Sequence, residues 1–228
     1  MKDLGIRLII FDLDGVLVHP PFDHFIDARR RVVKILEEYG IQITTDSPFF
    51  KKVYDAIMNT FKENAFAKAL YKYMSKIVEK YELKALNKAK FSDNVGELLE
   101  KLRSLNYKIA IFSQGGEKYV KTCIEKLGIR DMIDFFLTRD DDIKPKPYPD
   151  GILKICEELS VNNNETIFVG DTLIDVETAK NANVVPIIIT RDGKKKQIQN
   201  AYYLKELNVK ELINLIKKIE ELKESTTS

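Results

Sequence analysis

The sequence predicts an α/β protein: a doubly wound parallel sheet with an all-helical segment inserted after its first strand. Three observations carry this. The run Arg7-Leu8-Ile9-Ile10-Phe11 is apolar and rich in branched side chains, as a strand buried on both faces must be. From Ser92 onward, short runs of the same kind alternate with amphipathic helical patterns, which implies crossover connections and a parallel sheet. Between about residues 18 and 90 strand signals vanish and only helical spacing remains.

The first strand ends abruptly at Asp12-Leu13-Asp14-Gly15. Burying carboxylates without partners is costly, so both acids are expected at the strand's carboxyl end, facing a cleft. Ligands bind at that end of open α/β sheets, and Gly15 lets the chain turn there. Val18-His19-Pro20-Pro21 then forms a rigid connector. Three helical patterns follow: Phe25 to Tyr39, stopped by Gly40; a second opened at Asp46 or Ser47 with Pro48 in its first turn; and a third with Leu70, Tyr73, Met74, Ile77 and Tyr81 on one face. They predict a small bundle of their own.

The later strands are expected at Tyr107–Phe112, Phe135–Thr138, Thr166–Asp171 and Val184–Thr190. Helices are expected from Val95 through Leu105, at Glu117–Leu127, Ile152–Leu159, Ile174–Asn181 and Val209–Leu222, with Glu224–Ser228 fraying. The domains are therefore drawn as 1–17 with 91–228 for the core, and 18–90 for the helical insertion.

Composition narrows the function. The 228 residues are 44% hydrophobic and 32% charged, with a formal net charge of +2, enough for one sizeable core and a smaller satellite. The balanced charge gives no footprint for nucleic acid, and Lys194-Lys195-Lys196 reads as a solvated loop. Cys123 and Cys156 fall in apolar helical patterns and read as packed free thiols. No signal peptide or membrane span is visible, so the cytoplasm is the expected location.

Polar groups mark the other strand ends. The second expected strand ends in Ser113-Gln114-Gly115-Gly116, the fourth in Gly170-Asp171, and Lys144 and Lys146 follow the third. Asp175 falls on the first turn of the next helix. Carboxylates brought to one sheet edge repel one another, and a hard divalent cation with oxygen ligands resolves this, which suits magnesium. A lysine and a hydroxyl beside them suit a phosphate, so the constellation reads as phosphoryl transfer.

These residues resemble a known family. Asp12-Leu13-Asp14-Gly15-Val16-Leu17 is similar to the first motif of the haloacid-dehalogenase-like hydrolases. Ser113 resembles their second motif, Lys144 in Lys144-Pro145-Lys146-Pro147 their third, and Gly170-Asp171-Thr172-Leu173-Ile174-Asp175 their fourth. The helical insertion is similar to the cap of phosphoglycolate phosphatases, and the core would then be Rossmann-like. The resemblance implies Asp12 as nucleophile and Asp14 as general acid and then base. It implies a magnesium ion held by Asp12, the Asp14 carbonyl and Asp171, with Asp175 as orienter or indirect ligand. Ser113 and Lys144 would hold the phosphoryl group, with Gln114 and Gly115 beside them. Gln114 stands where the family usually has Asn, but its longer amide still reaches. Val16 replaces the commoner Thr, and His19 and Pro20 replace acidic and small polar residues, so the particular substrate stays open.

The expected function is a magnesium-dependent phosphatase acting on a small phosphorylated metabolite, as a monomer or small homo-oligomer. A sugar-phosphate mutase and an inactive binding or scaffold protein are the alternatives. Lys146 reads as solvated, although a one-step register change would make it the catalytic lysine. His19 suits either the cleft or a surface turn, and His24 the first cap helix. Phe49, Phe50, Phe61, Tyr71 and Tyr73 read as core, with one or two available to the pocket. Asp140-Asp141-Asp142 reads as a solvated turn, because consecutive acids do not all face one ion.

Overall fold

The computed structural model describes residues 5–21, 23–190 and 200–227, and the side chains of 24, 224, 226 and 227 lie outside that description. The lysine run at 194–196 therefore falls outside the described residues, as does the side chain of His24. A parallel sheet of six strands forms the core: β1 (Leu8–Phe11), β4 (Lys108–Phe112), β5 (Phe135–Leu137), β6 (Thr166–Gly170), β7 (Val185–Ile189) and β8 (Tyr202–Leu204), in the order β5-β4-β1-β6-β7-β8. β1 lies in the middle, with Phe11 in register with Ile111 of β4 and Val169 of β6. β8 is not anticipated by the sequence.

Alternation along the central strands sorts their side chains to two faces. Ile9, Phe11, Ile109, Ile111, Ile167 and Val169 pack in one cluster. That cluster also takes in α4 (Val95–Ser104), α5 (Glu117–Leu127) and α8 (Val209–Thr227). Leu8, Ile10, Ala110, Phe112 and Phe168 pack in the other, with α6 (Asp150–Glu158) and α7 (Leu173–Asn181). Helices thus cover both faces, which explains why these strands read as continuous apolar runs. The fold is a Rossmann-like α/β core with an inserted all-α cap. Helix α8 continues to Thr227 rather than fraying from Glu224.

Between β1 and β4 the chain leaves the sheet through β2 (Val18–His19) and returns through β3 (Lys90–Phe91), which pair antiparallel. Ser92 ties this double connector down: its N–H donates to Leu17 O at 2.9 Å and its hydroxyl to Val16 O at 2.7 Å. Beyond the connector lie α1 (Asp23–Glu38), α2 (Phe49–Phe61) and α3 (Ala65–Ala85). Their apolar faces make a separate cluster, including Val32, Leu36, Val53, Ile57, Leu70 and Met74. Pro48 precedes α2 as its N-cap instead of occupying the first turn. Asn64 caps α3 by accepting from Ala67 N–H at 2.9 Å. Tyr73, expected in the core, is 55% exposed.

Candidate active site

The carboxyl edge of the sheet and the cap enclose a cavity of about 440 Å³. Its floor holds Asp12, Asp14, Gln114, Lys146, Asp171 and Asp175. Asp12 follows directly on β1, and its N–H donates to Val169 O at 2.8 Å, which continues the sheet register by one residue. Asp171 follows directly on β6, and Asp175 lies in the first turn of α7. Strand register therefore delivers residues far apart in the chain to one place.

Lys146 is the link among them. Its ammonium donates to Asp12 Oδ1 and to Asp175 Oδ1, each at 2.8 Å, and its side chain is only 3% exposed. Its Nζ lies 4.9 and 4.7 Å from the ring centroids of Phe112 and Phe168, on the two strands that flank β1. The expectation for Lys144 is therefore corrected. Lys144 does not line the cavity; its Nζ lies 5.4 Å from the centroid of the Tyr148 ring. Both lysines precede a Pro-x-Pro, so that pattern does not separate them. Only the aromatic slot between β4 and β6 does, and it is a tertiary feature.

Asp175 has two jobs. Its Oδ2 accepts from Thr172 N–H at 3.0 Å and from the Thr172 hydroxyl at 2.6 Å, closing the capping box of α7. Its Oδ1 remains for Lys146. Gly170 leaves room for this, because a Cβ there would lie 2.3 Å from Asp175 Cβ. Gly15 is required twice over: its φ is +82°, and a Cβ would lie 1.9 Å from Asp171 Oδ2.

The two acids of the first motif have different surroundings. Burial raises the Asp12 carboxyl to about 6, with Lys146 opposing and Asp175 adding to the rise. Burial and then the Asp12 charge raise Asp14 well above the usual carboxylate range. Tyr119, fully buried on α5, donates its hydroxyl to Asp14 Oδ1 at 2.5 Å and fixes that carboxyl. Lys146 is pulled down by burial, but Asp12 and Asp175 more than offset this and leave it raised, so it stays charged.

Oxygens of Asp12, Asp171 and Asp175 lie within 4.8 Å of one another, while the Asp14 side chain turns to Tyr119. An all-oxygen, carboxylate-rich donor set of this spacing fits a hard divalent cation. Even with Asp14 protonated, three carboxylates on the floor face one ammonium, so the site lacks the positive charge to balance itself. The residues present therefore fit such an ion.

Ser113 and Gly115 do not line the cavity. Ser113 is buried, its hydroxyl accepting from Gly115 N–H at 2.9 Å, while Gln114 reaches the cavity and donates from Nε2 to Lys146 O at 3.2 Å. The Gln114 amide thus braces the lysine segment. From the cap and its connector come His19, Phe25, Arg29, Phe49, Phe50 and Glu82. His19 Nε2 lies 2.8 Å from Ser92 Oγ, so the ring faces the cleft while tied to the connector. Of the five aromatics expected in the core, Phe49 and Phe50 reach the pocket, and Phe25 joins them. Arg29 donates to Thr45 O at 3.1 Å and stacks on Phe49, and burial lowers its pKa.

The acidic run 140–142 is not a uniformly solvated turn. Asp140, with a side chain 6% exposed, accepts from Lys76 at 2.7 Å, Ser75 Oγ at 2.5 Å and Glu117 N–H at 2.9 Å. Asp141 bonds Thr138, and Asp142 alone is well exposed. Sequence reasoning also misses Tyr119, Arg139, Glu82 and Arg29, none of which lies in a strand-end motif.

Fold and site define a capped α/β enzyme with a cluster of carboxylates and one lysine at the sheet edge. A family model of the haloacid dehalogenase-like hydrolases matches residues 9–189, and the chain belongs to that family. Among curated relatives, it is 26% identical over 176 residues to a phosphoglycolate phosphatase of Aquifex aeolicus, covering 77% of this chain and 81% of that one. It is 25% identical over 213 residues to pyrophosphatase PpaX of Bacillus velezensis, covering 89% and 91%. Among solved structures, a HAD hydrolase of family IA, variant 3, from Entamoeba histolytica superposes with a TM-score of 0.64 at 20% identity, covering 93% and 100%. A β-phosphoglucomutase from Clostridium difficile gives 0.63 at 18%, covering 94% and 98%. No described helix is long and apolar enough to cross a membrane.

Proposed function

We propose that the protein is a magnesium-dependent phosphatase that hydrolyses a small phosphomonoester through an aspartyl-phosphate on Asp12. The observation that carries this is the Lys146 bridge between Asp12 and Asp175, 2.8 Å to each, on the floor of a capped cavity. An ammonium so placed keeps Asp12 ionised against burial and lies where phosphoryl oxygens must be neutralised. Asp12 attacks phosphorus, forming the new P–O bond as the bond to the leaving alcohol breaks. Asp14 gives that alcohol its proton. Burial favours the protonated form of Asp14, which suits a general acid, and Tyr119 holds its orientation. In the second step Asp14 takes a proton from water, whose oxygen attacks phosphorus and releases Asp12. Asp12, the Asp14 carbonyl and Asp171 would hold the magnesium ion, with Asp175 orienting, and the ion would neutralise phosphoryl charge.

Residues 18–90 act as the cap, with 1–17 and 91–228 as the core, and the cap excludes water from the intermediate. Arg29 supplies a cation and Phe49 an apolar wall on the cap side, which suits a leaving group with its own anionic end, such as 2-phosphoglycolate. The phosphoglycolate phosphatase among its relatives supports that reading. We take a cytoplasmic monomer or small homo-oligomer as the working form. Phosphate release from 4-nitrophenyl phosphate and a panel of phosphorylated metabolites is the test. Activity should vanish with chelator and return with magnesium, and indifference to chelator would refute the metal's part. Phosphoryl transfer to a sugar without phosphate release would instead identify a mutase.

A further inference from the structure

We propose that the buried pair Arg139–Glu82 is a positioning device that makes cap helix α3 part of the mould holding the Ser113–Gly116 turn against the phosphoryl group. This rests on the phosphatase reading above. Arg139 follows β5 in the core, and Glu82 lies on α3 in the cap. Their side chains are 0% and 2% exposed. The guanidinium meets the carboxylate with both ends, Nη1 to Oε1 at 2.7 Å and Nη2 to Oε2 at 3.0 Å. Ser75, about two turns earlier on the same face of α3, accepts from Arg139 Nε at 2.9 Å through its hydroxyl and from Nη2 at 3.2 Å through its carbonyl. Phe50 stacks on the guanidinium, 4.5 Å from Cζ to ring centroid.

A buried ion pair need not add stability, since well-packed apolar side chains of similar volume often do as well. What apolar side chains would not reproduce is the pair's grip on the turn. Arg139 Nη1 donates to Gln114 O, and the Arg139 backbone N–H donates to Gly115 O at 3.0 Å. Glu82 Oε2 accepts from Gly116 N–H at 3.0 Å. Three successive residues of the turn are therefore held by these two. The approach is so close that a Cβ on Gly116 would lie 2.5 Å from Glu79 Oε1. Glu79 and Asp140 extend the grip by accepting from Lys118 and Glu117 N–H.

With the N–H groups of Gly115 and Gly116 engaged, Gln114 N–H meets no acceptor among the described residues. It is the turn's spare donor, beside a side chain that lines the cavity. The pair fixes the peptide on the far side of Gln114, so loosening it tilts this donor. Misplacing a reacting group by about 1 Å can cost on the order of 100-fold in rate. Glu82 and Arg139 thus act through Gln114 and Gly116.

The test compares wild type with the double variant Glu82→Met/Arg139→Met and with Ser75→Ala. The readouts are melting temperature, kcat and KM for 4-nitrophenyl phosphate, and the inhibition constant of inorganic phosphate. The double variant takes the partner from Gln114 O, Ser75 O and Gly116 N–H and should melt below wild type; the folded protein should bind phosphate about tenfold more weakly and turn over about tenfold more slowly, the size of a lost charge-assisted contact. Ser75→Ala removes the acceptor for Arg139 Nε and the donor to Asp140, and should weaken phosphate about two- to threefold with a small fall in melting temperature. A folded double variant with wild-type kcat and phosphate constant would overturn the proposal. If the double variant does not fold, an unchanged phosphate constant in Ser75→Ala would overturn it. Wild type that neither hydrolyses the ester nor binds phosphate would instead sink the phosphatase reading.

Discussion

The sheet edge and the cap line the same cavity, but they supply it in different ways. At the sheet edge, Asp12 and Asp171 directly follow paired strands, so backbone register sets their positions. In the cap, Phe25 and Arg29 come from a helix face, whose orientation depends on how three helices pack. The difference teaches a division of labour. On the proposed phosphatase reading, the chemistry falls where hydrogen-bonded strands leave little freedom, and selection of the leaving group falls where packing can vary.

The division predicts unequal losses. The largest is expected for Asp12→Asn, which should lower kcat on 4-nitrophenyl phosphate by about 10⁴-fold or more, since no other group can form the intermediate. Retained turnover would erase the special standing of the sheet edge. Next comes the pair of lysines. Lys146→Met should cost about 10²- to 10³-fold in kcat, whereas Lys144→Met should stay within about twofold. The reverse ranking in the same steady-state assay would return the catalytic role to Lys144.

On the cap side, Arg29→Met should raise KM for 2-phosphoglycolate about tenfold and leave 4-nitrophenyl phosphate nearly unchanged. Equal losses on both substrates would mean that Arg29 serves the fold and not selection. The smallest effect concerns the core beneath the site. Burial, then the charge of Asp14, pushes the Cys123 thiol up to about 12, and burial also raises Cys156. Neither should react with a disulfide reagent at pH 8 until the chain is unfolded in urea, and rapid labelling of the native protein would show a looser core.

What was legible in the sequence follows the same line. Asp12, Asp14, Gly15, Asp171 and Asp175 stand at the ends of apolar runs, where burial cost and strand geometry leave one place for them. Five of the six sheet strands read as apolar runs, and most of the helices carry a clear period. The choice of Lys146 over Lys144 was hidden because it depends on Phe112 and Phe168 on two different strands. Arg139, Glu82 and Tyr119 were hidden for the same reason: each is defined by a partner far along the chain. Asp140 looked like part of a charged loop because its partners Ser75 and Lys76 lie on the cap.

The central claim is that Asp12 takes the phosphoryl group in the cavity floored by Lys146 and Asp175. A crystal grown with magnesium and beryllium fluoride tests it most directly. The account predicts density joined to the Asp12 carboxylate, with Lys146 against the fluorines. Density joined to any other side chain, with Asp12 bare, would contradict it.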